Sequence, residues 1–223
     1  MNLNVFGKLW ASFGLVQAPC ESVTKSFGAW QGDILLPFDM ALRSETCKGT
    51  VADGLNGLLP RTSPIATKYL FWPVNESWTL YFDNSAGGTD AAPLSVLSSH
   101  LHTNSIRVVM AEQLVDTVTK QIEQYGATIF EYYVDGADRR HIFAANDGGK
   151  WKFGQSGAPF AFEDIDAYKE RSVQKRFTPE MLLTYLRSLG IELVHDTSLR
   201  MLGSGFILTK VGKMPASLRM LDD

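Results

Sequence analysis

The sequence predicts an α+β domain, a mostly antiparallel mixed sheet with four or five covering helices. Apolar residues alternate with period two around Trp78, Leu80 and Phe82, and three short strand-like runs follow one another between residues 127 and 153. Other segments carry apolar residues at helical spacing and open or close on capping residues, proline or glycine. No internal repeat or low-complexity tract interrupts this mixture, so residues 1–223 read as a single globular domain.

Taken in order, Val23, Phe27 and Trp30 predict a short amphipathic helix over 21–31, with Glu21 and Ser22 at its start and Gly32 after its end. From 32 to 64 the pattern breaks around Gly49, Gly54, Gly57, Pro60 and Pro64, which reads as a connection holding one short helix. Residues 65–74 and 78–82 form an expected hairpin. Its second strand is half-buried, with Trp78, Leu80 and Phe82 toward the core and Thr79, Tyr81 and Asp83 away from it. Pro93 suits a first helical position, and Leu94, Leu97 and Leu101 predict a helix over 92–102. The compact apolar run 106–111 reads as a buried strand. Leu114, Val118 and Ile122 fall at helical spacing before Gly126 and predict a helix, although the valines and threonines there lower its propensity.

Segments 127–134, 139–145 and 151–153 then read as a three-stranded meander, turning at Asp135-Gly136-Ala137-Asp138 and Asn146-Asp147-Gly148-Gly149. Lys169, Arg171, Lys175 and Arg176, with Glu163, Asp164, Asp166 and Glu170, read as the solvated, salt-bridged face of a further helix. Thr178 caps and Pro179 opens the best-defined helix, with Leu182, Tyr185, Leu186 and Leu189 on one face and Gly190 at its end. Gly203-Ser204-Gly205 reads as a turn before a last short strand at 206–208.

Composition excludes several jobs. A chain 45% hydrophobic and 20% charged is folded rather than disordered. A formal net charge of −3 gives no general field for nucleic-acid phosphates, so no nucleic-acid partner is expected. The N-terminus lacks a basic region followed by an apolar stretch, and no apolar run approaches the roughly 20 residues needed to span a bilayer. A cytoplasmic protein with no membrane partner is the expectation. Cys20 and Cys47 are separated by 26 residues with no second pair, so no zinc site is expected, and the absence of a secretory context weighs against a disulfide between them without excluding it.

The candidate site is the strand end and glycine loop from Ser77 to Asp90. Tyr81, Asp83, Asn84 and Asp90 are its candidate binding residues, because a rigid strand end can present polar side chains that a loop leaves exposed. Oxygens of Asp83, Asn84 and Asp90 would converge on a cation or polar ligand. The competing local account has Asp83 and Asn84 satisfying turn backbone and Asp90 starting the helix. No cofactor and no metal are expected, since the spacing lacks the terminal glutamate of a calcium loop. His100 and His102 splay at a helix end, and His141 and His195 are isolated. Glu131, Asp135 and Asp138 are explained by a turn as well as by paired-carboxylate chemistry. The loop lacks the lysine of a phosphate-binding P-loop, and no nucleophile elbow is present.

Trp78-Thr79-x-Tyr81-Phe82-Asp83-Asn84, Gly88-Thr89-Asp90, Asp147-Gly148-Gly149-Lys150-Trp151-x-Phe153 and Arg176-Phe177-Thr178-x-Glu180-Met181-Leu182 together resemble an uncharacterised bacterial family of similar length, over roughly residues 65–190. That resemblance supplies no catalytic residues. In size, mild acidity and aromatic content the chain is also similar in kind to immunity proteins, which bind bacterial toxins and occlude them. The expectation is therefore a protein-binding module with a cognate toxin as partner, rather than an enzyme, with Trp72, Tyr81, Tyr132 and Tyr168 as candidate anchors. The alternative is an enzyme or small-ligand-binding protein with a polar site at the 83–90 loop.

Overall fold

The hairpin around Trp78 lies near the middle of a nine-stranded sheet in the computed structural model, which describes residues 5–194 and 197–222. In chain order the first elements are β1 (Ser12–Val16), α1 (Cys20–Leu35), β2 (Met40–Thr50), α2 (Val51–Leu58), β3 (Arg61–Ser63), β4 (Lys68–Pro73) and β5 (Thr79–Asp83). Next come α3 (Ala92–His100), β6 (Asn104–Ala111), β7 (Leu114–Val115), β8 (Ile122–Gln124), β9 (Ala127–Val134), β10 (Ala137–Asp147) and β11 (Lys150–Ser156). The chain closes with α4 (Pro179–Ser188), β12 (Leu202–Gly212) and β13 (Arg219–Leu221).

The large sheet runs β11-β10-β9-β6-β1-β5-β4-β12-β2, and its neighbouring strands pair antiparallel. With four α-helices among the described residues, this is the α+β class that the sequence predicts. One face packs Phe13, Leu80, Val108, Phe130 and Ile142 against α2, α4 and the segment around Phe6 and Trp10. The other carries a smaller cluster in which Val23 and Phe27 of α1 and Leu94 and Leu97 of α3 close over Tyr69, Phe71, Tyr81 and Leu208. Because helices lie on both faces here, all five residues of β5 are buried, where the sequence predicted a half-buried strand.

The meander of β9, β10 and β11 forms as expected. Its first turn places Asp135 at φ 49° and Gly136 at φ 82°, the left-handed pair that a two-residue hairpin turn requires. Ser95 Oγ donates to Gly136 O at 2.7 Å, and Gly136 N donates to Ser98 Oγ at 2.8 Å, so α3 holds that turn. α4 starts and stops as predicted. The Thr178 hydroxyl accepts from Met181 N, and Gly190 at φ 79° lets Ile191 N donate back to Leu186 O at 2.9 Å.

Four expectations fail locally. The 32–64 connection contains the expected short helix, α2, but also the eleven-residue strand β2, which among the described residues pairs only with β12. An edge strand whose side chains are largely exposed carries no apolar alternation, which is why β2 leaves no period-two signal. The helix expected over 114–122 is instead the β7–β8 hairpin, where Asp116 Oδ1 accepts from Val118 N and Thr119 N in a side-chain-capped turn. Gly203-Ser204-Gly205 lies inside β12 rather than in a turn, and a Cβ at Gly205 would meet Trp72 Cε3 at 2.6 Å. The basic segment before α4 forms two short 3-10 turns, Ala167–Lys169 and Val173–Lys175, not a helix. Glu163 is no part of a solvated face either. Its side chain is fully buried against Arg140.

Candidate functional site

β5 delivers Asp83 to the start of the glycine loop, and the loop folds back over the strand end. Asp83, only 1% exposed, accepts from Ser85 N at 2.9 Å through Oδ1, and from Asp90 N at 2.9 Å and Tyr81 Oη at 3.1 Å through Oδ2. Burial pushes its carboxyl above the usual carboxylate range, with these three donors pulling the other way. Tyr81 is wholly buried, and burial together with the neighbouring Asp83 carboxylate raises its phenol further. Asp90 Oδ1 accepts from Ala92 N at 3.0 Å, which starts α3, and Thr89 Oγ1 donates to Ser12 O at 2.7 Å, which fastens the loop to β1.

Asn84 serves a different purpose from the other predicted residues. Its Oδ1 accepts from Thr67 N at 2.8 Å and Lys68 N at 3.0 Å, while Nδ2 donates to Pro60 O at 2.9 Å. It ties the strand end to the 60–68 segment. Tyr81, Asp83 and Asp90 line a cleft of about 530 Å³, and Asn84 does not, so the expected convergence of three oxygen-bearing side chains does not occur. The buried positions of Asp83 and Asn84 also correct the expectation that the loop leaves them exposed.

Three further residues shape the cleft. Gln31 enters from α1, Lys210 from β12 and Arg107 from β6. Lys210 Nζ stands 5.3 Å from the centroid of the Tyr69 ring and makes no ion pair or hydrogen bond among the described residues. Burial holds its ammonium below the usual lysine range, against the opposing influence of Asp83 and Asp90. Arg107 Nη1 donates to Glu131 Oε1 at 3.1 Å, while its Nε is buried without a partner. These residues carried faint sequence signals: Arg107 is a charge inside an apolar strand run, and Gln31 follows Phe27 by one helical turn on the buried side of α1.

Arg107 also begins a row that crosses the sheet, since it pairs in register with Glu131, and Glu131 with His141. Tyr133 Oη donates to Glu131 Oε2 at 2.9 Å, and His141 Nε2 lies 3.7 Å from Glu131 Oε1. The side chains of Arg107, Glu131 and His141 are 24%, 15% and 31% exposed, whereas Val108, Phe130 and Ile142 on the opposite face are 0% exposed. Beyond α3 this face of β6, β9 and β10 is bare, with Ile129 and Phe143 also half-exposed on it.

The aromatic anchors expected from sequence are elsewhere. Trp72, Tyr81, Tyr132 and Tyr168 are all core residues, buried by the sheet and the elements packed on it. Cys20 and Cys47 are free thiols, and burial pushes the Cys20 thiol up to about 11. His102 Nδ1 lies 3.0 Å from Asp135 Oδ1, and His195 falls outside the described residues. Among the described residues no group of three or more His, Cys, Asp or Glu is placed to share a metal ion, and no helix is long and apolar enough to cross a membrane.

Both oxygens of Asp83 are thus engaged, while the Lys210 ammonium is unengaged among the described residues. Comparison with protein-family models, curated proteins and solved structures finds no match for this chain.

Proposed function

We propose that the chain is a protein-binding module that acts by occlusion, and that its partner is a bacterial toxin which it neutralises as an immunity protein. One observation carries the binding reading: the sheet extends past the helices that cover its second face. Across β6, β9 and β10 the face mixes Ile129 and Phe143 with the Arg107–Glu131–His141 row, a blend of apolar, aromatic and charged groups suited to an interface. The strands hold these groups in place before any partner arrives, which lowers the ordering cost of binding. The identity of the partner rests on likeness in kind to immunity proteins.

The experiment is a paired pull-down from the organism that encodes the chain, using wild type and an Ile129→Glu variant shown by circular dichroism to be folded. A partner retained by wild type and lost by the variant is the expected result. Equal retention by both, or no retained partner, overturns the assignment to this face. The toxin identity is then checked by co-expressing the captured protein with the chain, where rescue of growth is expected and unrelieved or absent toxicity refutes it.

A further inference from the structure

The cleft holds more hydrogen-bond donors than its walls use. The Lys210 ammonium has three N–H donors and no acceptor among the described residues. Gln31 is only 8% exposed, and its side-chain amide has no hydrogen-bond partner among the described residues. Arg107 Nε is buried and unpaired as well. Nearby, both oxygens of Asp83 accept hydrogen bonds and Asp90 Oδ1 accepts from Ala92 N. A ligand that supplies acceptor oxygens would give Lys210 and the Gln31 amide the partners that these walls do not.

Charge narrows the ligand. Arg107 already faces Glu131, which leaves Lys210 as the cation without an ion pair among the described cleft residues. Asp83 and Asp90 also line the cleft, so every negative charge on a ligand adds repulsion, and a single charge set at Lys210 is favoured over two. The remaining walls include Trp30, Ile65 and Tyr69, which favour an apolar body, and a space of about 530 Å³ suits a small molecule.

We propose that the cleft binds a small organic monocarboxylate, with Lys210 and the Gln31 amide taking its oxygens and Trp30 and Tyr69 flanking its apolar part. This site is distinct from the bare sheet face, which it meets at Arg107, and its ligand does not depend on which protein docks on that face.

Calorimetric titration of the full chain at pH 7 tests it with three probes: phenylacetate, its neutral analogue phenylacetamide, and inorganic phosphate. Phenylacetate is expected to bind saturably, the other two at least about tenfold more weakly, and Lys210→Met to weaken phenylacetate by about tenfold or more. Absence of saturable phenylacetate binding, phosphate binding as tight as phenylacetate, or an unchanged affinity in folded Lys210→Met overturns the proposal. Should that variant fail to fold, wild-type NMR decides. Phenylacetate is expected to shift the Gln31 side-chain amide and the Trp30 indole, and shifts confined to other regions overturn it.

Discussion

Replacing Glu163 with glutamine removes a charge without removing volume, from a buried carboxylate that accepts four hydrogen bonds. Arg140 is 1% exposed and donates through Nε to Glu163 Oε1 at 2.9 Å and through Nη2 to Glu163 Oε2 at 2.6 Å. Its other donors reach Ser156 O, Gly157 O and Gln155 Oε1. Glu163 Oε1 also accepts from Phe160 N, and Oε2 from Tyr168 Oη. Each carboxylate oxygen thus takes two donors, one of them from Arg140. An amide nitrogen at the Oε1 position strands both Arg140 Nε and Phe160 N, one at the Oε2 position strands Arg140 Nη2 while the Tyr168 hydroxyl can turn to accept, and in either case the guanidinium loses its counter-charge. An uncompensated buried charge of this kind costs about 3–5 kcal/mol. For a chain of this size that lowers Tm by about 6–20 °C. Urea unfolding followed by circular dichroism and tryptophan fluorescence measures the loss, with Arg140→Met, Glu163→Leu and the double variant Arg140→Met/Glu163→Leu alongside. The double variant is expected to be more stable than the sum of the single losses allows, because it leaves no orphaned charge. A loss below about 1 kcal/mol for Glu163→Gln, or strictly additive losses, would refute the account of the pair as one buried unit.

Asn84→Ala strands Thr67 N, Lys68 N and Pro60 O, and is expected to cost about 3 kcal/mol or more, measured by urea unfolding. Gly14→Ala would bring a Cβ to 2.5 Å from Leu94 Cδ2 and 2.9 Å from Tyr81 Cδ1. Overpacking of that kind is expected to cost about 1–3 kcal/mol, with altered near-UV dichroism from Tyr81. Asp83 is protonated more readily in the folded chain than in the unfolded one, so its contribution is fully present below the ordinary carboxylate range and is lost as pH rises through the raised folded value. Relative to Asp83→Asn, wild type should therefore gain stability as pH falls from 7 toward 4, and a flat difference in unfolding free energy would contradict the raised carboxyl.

The sequence made the class of fold legible because its strongest patterns are those that a core imposes. The β9–β10–β11 meander, α3 and α4 follow from alternation, helical spacing, proline and glycine. What stayed hidden depends on long-range pairing. β2 is an exposed edge strand held by β12, about 160 residues away in sequence, and nothing local marks it. The 83–90 loop was found, and three of its four candidate residues reach the cleft, but the partners that give the cleft its character come from α1, β6 and β12. Glu163 was misplaced for the same reason, since Arg140 lies 23 residues before it and only the fold brings the two side chains together.

The strands themselves mark where the helices stop. Tyr69, Leu70, Phe71 and Trp72 of β4 and all of β5 are buried as unbroken runs, the signature of strands covered on both faces. In β6, β9 and β10, buried residues alternate with half-buried ones across Ile106–Arg107, Phe130–Glu131 and His141–Ile142, the signature of one covered face. β1 stands between the two regimes, and its Gly14 pairs with Tyr81 on one side and Arg107 on the other. Because Gly14 has no side chain, Leu94 of α3 seats directly on the sheet at this line, and Arg107 lies just past it. The cleft therefore takes rigid walls from the covered half, where Tyr69, Tyr81 and Asp83 are fixed by packing and hydrogen bonds, and one wall residue, Arg107, from the half that the helices leave bare. The cleft at that line follows from where the apolar pattern changes its period, with no catalytic motif needed to place it.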